Sequence, residues 1–126
     1  MTEQYSYTKI EKPLFQELKK DLMLAESTED VKKFFVRCIQ KLIYQVTDKV
    51  VEANFEDIEL SPKFSKHYKL SERISKKPEF VSKWKNSDLS RIFQRMADTA
   101  IHRFEHLQKY PDKTESKMFH GPGESF

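Results

Sequence analysis

Apolar positions recur along this chain with the period of a helix, in three separate stretches. Ile10, Leu14, Leu18, Leu22 and Ala25 fall three or four residues apart, with Phe15 beside them. That spacing lines one face of a helix. It predicts a helix over residues 11–25, with Pro13 in the first turn, where a missing N–H has no partner to lose. A second stripe joins Val31, Phe34, Phe35, Cys38, Ile39, Leu42, Val46 and Val50, widened by Val36 and Ile43. Ser27 or Thr28 caps it, and Glu29 and Asp30 sit at its positive end. The prediction is a helix over residues 29–54, broad enough in its apolar face to be central and touched by two others. The third stripe joins Leu89, Ile92, Phe93, Met96, Ala97, Ala100, Ile101, Phe104 and Leu107. It predicts a helix over residues 88–110, ended by Pro111.

The segment between the second and third stripes has no such period. Residues 55–69 read as a connection, and Pro62 disfavours helix at Ser61. Residues 70–76 can form a short helix. Pro78 opens another, with Phe80, Val81 and Trp84 on one side, and Asn86, Ser87 and Asp88 break it. The expected fold is all-α: a compact bundle of three longer helices (about 11–25, 29–54 and 88–110) with one or two short helices in 70–85. Residues 1–10 read as a flexible arm, 11–110 as a single helical domain, and 111–126, polar with a Gly-Pro-Gly turn, as a disordered tail.

Composition sharpens this picture mostly by exclusion. The two glycines of the 126 residues are Gly121 and Gly123, both near the end of the sequence. A Gly-rich phosphate loop, a dinucleotide fingerprint and a nucleophile elbow all need glycine backbone freedom, so none is present. Tight hairpins also favour glycine, which argues against a β-rich fold. The single cysteine excludes an intrachain disulfide and a thiolate-based zinc site. Cys38 lies mid-stripe and reads as a small core hydrophobe. Ten phenylalanines supply much of the burial in a chain that is only 37% hydrophobic. No apolar run reaches bilayer length, and residues 1–9 lack the apolar core of a signal peptide. The expectation is a cytoplasmic protein with no membrane partner and no cofactor.

Charge adds the strongest functional hint. Residues 61–95 hold ten Lys or Arg against three acids, a local net charge of +7, while the whole chain carries +3. A concentrated positive field draws phosphates or acidic protein surfaces. Rings are interleaved with these cations: Phe64, His67, Tyr68, Phe80, Trp84 and Phe93. The candidate contact residues are Lys63, Lys66, Lys69, Arg73, Lys76, Lys77, Lys83 and Lys85, with Tyr68 and Trp84 as aromatic anchors. An acidic cluster of Glu52, Glu56, Asp57 and Glu59 adjoins the block and can neutralise it within one molecule or between copies.

Other chemistry is sparse. Asp98, His102 and His106 are one helical turn apart, a row that can offer three ligands to zinc or a similar ion. No Glu-x-x-His pair for a di-iron bundle is present. The Phe-rich helix faces fit either a filled core or a ligand pocket between helices. The function expected is that of a small non-enzymatic interaction or regulatory protein. It presents a partly basic helical surface to a protein partner or to a second copy of itself. Nucleic-acid binding through the block 61–95 is the alternative, and metal binding through Asp98, His102 and His106 the second alternative.

Overall fold

The structure, a computed structural model, describes residues 7–109. Residues 1–6 of the expected arm, and the whole of the expected tail, lie outside the described residues. The fold is mostly α-helical, as the stripes predict. Its elements run α1 (Thr8–Leu24), α2 (Thr28–Val46), a 3₁₀ turn (Phe55–Asp57), β1 (Ile58–Leu60), β2 (Tyr68–Leu70), α3 (Glu72–Ser75), α4 (Pro78–Lys85) and α5 (Leu89–Lys109). No helix among the described residues is long and apolar enough to cross a membrane.

Helix α1 begins before Pro13, which sits inside it rather than in its first turn. Tertiary contacts hold that early turn. The Tyr7 N–H donates to Asp88 Oδ1 at 3.0 Å, and the Tyr7 carbonyl accepts from the Ile10 and Glu11 N–H groups. The buried Glu11 carboxylate pairs with Arg95 of α5 at 3.0 Å. These anchors outweigh the backbone bond that proline removes.

Helix α2 is capped as expected: the Ser27 hydroxyl accepts from the Asp30 N–H, and the Asp30 carboxylate from the Glu26 N–H. It packs against both α1 and α5, the central position its broad stripe predicts. Its end is earlier than the expected 54. At Thr47 the hydroxyl donates to the Ile43 carbonyl at 2.7 Å and accepts from the Val51 N–H at 3.1 Å. A side chain that bonds its own backbone in this way competes with helix continuation. Asp48 and Lys49 then take left-handed backbone angles, φ 55° and 69°. Val50, the last member of the stripe, is 60% exposed, while Val51 is buried.

The stretch 55–69 also departs from a plain connection. It contains a two-stranded antiparallel sheet with Ile58 opposite Leu70, Glu59 opposite Lys69 and Leu60 opposite Tyr68. Ile58 and Leu60 point inward and Glu59 outward, the alternation a strand requires. No glycine is needed because the loop spans residues 61–67 and His67 supplies the left-handed residue, at φ 71°. The loop is tied to α5 twice. Gln94 Nε2 donates to the Lys66 carbonyl at 2.9 Å, and His67 Nδ1 lies 2.9 Å from Asp98 Oδ1.

One buried carboxylate locks the other end of the hairpin. Asp57 accepts from the Asn54 N–H at 2.7 Å, from the Ser71 hydroxyl at 2.7 Å and from the Arg73 guanidinium. The clamp joins the 3₁₀ turn to the start of α3. The Arg73 hydrogen bonds dominate in holding the Asp57 carboxyl down at about 2, below the ordinary 3.8, and Ser71 and Asn54 add to the effect. Because the folded-state value is depressed, this stabilisation is whole above the ordinary value and is lost as pH falls through 4 towards 2. Thermal unfolding followed by circular dichroism between about pH 6 and pH 2 checks it. The melting temperature of the wild type is expected to fall more steeply with acid than that of Asp57→Asn, and parallel curves would contradict the clamp.

Candidate binding site: a lysine-rimmed aromatic pocket

Helix α4 is only eight residues long, yet it places three apolar side chains where they meet the hairpin. Pro78 starts it, so Phe80 and Trp84 fall one turn apart on one face. Their ring centroids are 5.5 Å apart. Both rest on Phe93 of α5, which is fully buried. Trp84 meets Phe93 edge-on at 5.1 Å and 86°, and Phe80 lies 6.2 Å from it. From the other side, Tyr68 of β2 approaches Phe93 at 5.8 Å and Phe35 of α2 at 6.5 Å. Tilted and edge-on pairs of this kind add to the stabilisation from burial alone.

The cluster leaves a cavity of about 400 Å³ between β2 and α4. Tyr68, Leu70, Phe80, Val81 and Trp84 form its apolar wall, and Lys66, Lys69 and Lys85 stand around it. Ser75 adds a hydroxyl, and among the described residues no carboxylate lines it. Tyr68 is half-buried, and that burial pushes its phenol up to about 12, so it stays a neutral donor at neutral pH.

The structure divides the basic block into two groups. Arg73 pairs with Asp57, Lys76 with Glu72 at 3.5 Å, Arg91 with Asp88 at 3.2 Å and Arg95 with Glu11 at 3.0 Å. Arg73 also donates to the Glu52 carbonyl at 3.1 Å. Of these four, Arg73 and Arg95 pair with buried carboxylates and join separate elements, while Lys76 and Arg91 pair with acids three or four residues away. Lys66, Lys69 and Lys85 make no ion pair among the described residues and converge on the cavity. Lys63 is exposed on the hairpin loop, Lys77 lies at the junction of α3 and α4, and Lys83 is half-buried on α4. Trp84 is both wall and support: it packs on the core through Phe93 and lines the cavity.

Leu70, Val81 and Phe80 belong to the pocket without having stood among the candidate contact residues. The signal for Leu70 was available, since it follows Tyr68 by two residues and shares its face of a strand. It was masked because the segment carried no strand pattern long enough to read.

The row Asp98, His102 and His106 does not act as one unit. Successive members of such a row drift by about 40° around a helix. Asp98 therefore turns to the hairpin, where it meets His67 and the Gln94 amide. His102 and His106 instead line a groove of about 330 Å³ between α1 and α5, with Lys19, Leu22, Met23 and Arg103. Arg103 donates to the Leu22 and Ala25 carbonyls at 2.8 and 3.1 Å, capping the C-terminal end of α1. Among the described residues no three His, Cys, Asp or Glu side chains are grouped to hold a metal ion.

No known protein family, curated protein or solved structure matches this chain.

Cys38 is the remaining group with reactive chemistry. Its Sγ lies 3.7 Å from the Leu14 carbonyl and 3.7 Å from Met96 Sδ, so it is packed where α1, α2 and α5 meet. Burial first, and the Glu17 charge second, push its thiol up to about 12. A thiol with so little thiolate is a poor nucleophile. The folded protein is expected to leave a disulfide reagent such as DTNB unreacted at about pH 8, releasing one equivalent of colour only on unfolding. Stoichiometric reaction in the native state would contradict the packing.

Proposed function

We propose that this protein is a non-enzymatic interaction module that binds a macromolecular partner through the lysine-rimmed pocket between β2 and α4. One observation carries the reading. The three lysines that line the cavity have no ion pair among the described residues, and they surround a wall of packed aromatic and aliphatic side chains. An apolar side chain entering such a pocket gains roughly 1.5–3 kcal/mol from burial. The lysines contribute mainly on-rate and choice of partner, by favouring acidic surfaces and repelling basic ones. The chemistry fits a protein segment in which acidic residues flank one aromatic or large aliphatic anchor.

Nucleic acid is the weaker occupant. A single strand is held by a row of stacking platforms along a basic track. Here the rings of Tyr68, Phe80 and Trp84 gather around Phe93 into one pocket, and four of the ten cations are paired internally.

Selection from a displayed random-peptide library tests this directly, with short single-stranded RNA and DNA titrated in parallel. Enriched peptides are expected to carry Asp or Glu around a Phe, Tyr, Trp or Leu. Their binding should weaken at least about tenfold, roughly 1.4 kcal/mol, in the double variant Lys69→Glu with Lys85→Glu. Trp84 is the single tryptophan of the chain, so its emission reports occupancy of the pocket. Enrichment of uncharged or basic peptides would contradict the reading. Steeply salt-dependent binding of oligonucleotides, without any peptide selected, would assign the pocket to nucleic acid instead.

A further inference from the structure

The same chain displays the chemistry that this pocket selects. Phe55 is 52% exposed, one of the few large apolar side chains left in water among the described residues. It stands in the 3₁₀ turn between α2 and β1. Glu52, Glu56 and Glu59 surround it in sequence and all three are exposed. None of the three makes an ion pair among the described residues, and the fourth acid of the cluster, Asp57, is turned inward to Arg73. Glu59 stands opposite Lys69 in the hairpin, yet no ion pair forms between them.

The knob is also rigidly presented. The Asp57 carboxylate accepts from the Asn54 N–H at 2.7 Å, and Arg73 grips the Glu52 carbonyl at 3.1 Å. The first bond links the residues that flank Phe55, and the second holds the backbone three residues before it. A segment already fixed in shape loses little conformational freedom when it docks.

An acidic, aromatic knob and a lysine-rimmed, aromatic pocket thus occur on one molecule, neither satisfied by the other within it. We infer that a second copy of this chain docks here, Phe55 of one copy entering the pocket of the other while Glu52 and Glu56 face Lys69 and Lys85. This rests on the pocket reading above and names one occupant for it. A two-fold arrangement lets both copies exchange knobs and closes the assembly.

Sedimentation velocity across about 10 µM to 1 mM, a range suited to a weak contact, provides the test, with Trp84 emission followed on the same samples. The wild type is expected to pass from monomer towards twice the monomer mass, with a change in emission. Phe55→Ser should remain monomeric. So should two charge variants taken alone, Glu52→Lys with Glu56→Lys, and Lys69→Glu with Lys85→Glu. Mixing these two should restore a one-to-one complex, because each positive knob then meets a negative pocket and each negative knob a positive one. All the altered side chains are exposed, and unchanged circular dichroism confirms the fold of each variant. A wild type that stays monomeric throughout, or an association that Phe55→Ser leaves intact, overturns the inference. Peptide binding to the Phe55→Ser chain separates the two ideas. If acidic aromatic peptides bind it while the wild type is monomeric, self-docking fails and the pocket reading stands; if they do not bind, both fail.

Discussion

The packing around Phe93 is the contact on which the rest of this structure depends. Its ring is buried on α5 and receives Trp84 and Phe80 from α4 and Tyr68 from β2, with Phe35 of α2 behind Tyr68. A two-stranded sheet of three residues per strand is not stable by itself. A helix of eight residues is equally marginal in water. Both are held because each lays an aromatic side chain on the same ring. Truncating Phe93 removes that shared support as well as its own buried area, a change that costs about 3–5 kcal/mol in comparable cores.

Around this centre, polar contacts settle geometry rather than supply bulk stability. The Asp57–Arg73 clamp fixes where the hairpin begins and where α3 starts. Gln94 and Asp98 fix the hairpin loop from the side of α5. Glu11 and Arg95 join α1 to α5 across 84 positions of sequence. Each joins side chains or loops that stand far apart in the linear chain. The charge left over is therefore not the charge that composition suggests. Three lysines without ion pairs among the described residues meet at an apolar cavity, and three glutamates likewise unpaired among them flank an exposed ring in sequence.

The three helical stripes were legible because α1, α2 and α5 are long enough for a 3.6-residue period to repeat several times. The end of α2 was not, because Val50 continues the period by coincidence while the Thr47 hydroxyl and two left-handed residues turn the chain. The hairpin was hidden for the opposite reason: Ile58, Glu59 and Leu60 give a single alternation, too little to distinguish a strand from a loop. In the basic block, composition located the region but not the site. Arg73, Arg91 and Arg95 look identical to Lys66, Lys69 and Lys85 in a charge count. Only the fold brings Asp57 to Arg73 and Glu11 to Arg95, while Asp88 lies three residues before Arg91 in the sequence. Trp84 and Tyr68 were legible as candidates because they are aromatic residues set among cations, and the fold places Leu70, Phe80 and Val81 beside them.

The proposed function makes the surface between β2 and α4 the place where this protein meets its partner. Amide chemical shifts of the labelled protein, recorded while a soluble peptide with one Phe between glutamates is added, address it most directly. The account predicts changes concentrated in residues 66–70 and 80–85, together with the indole N–H of Trp84. An unperturbed spectrum, or changes centred on the groove of His102 and His106 between α1 and α5, would contradict it.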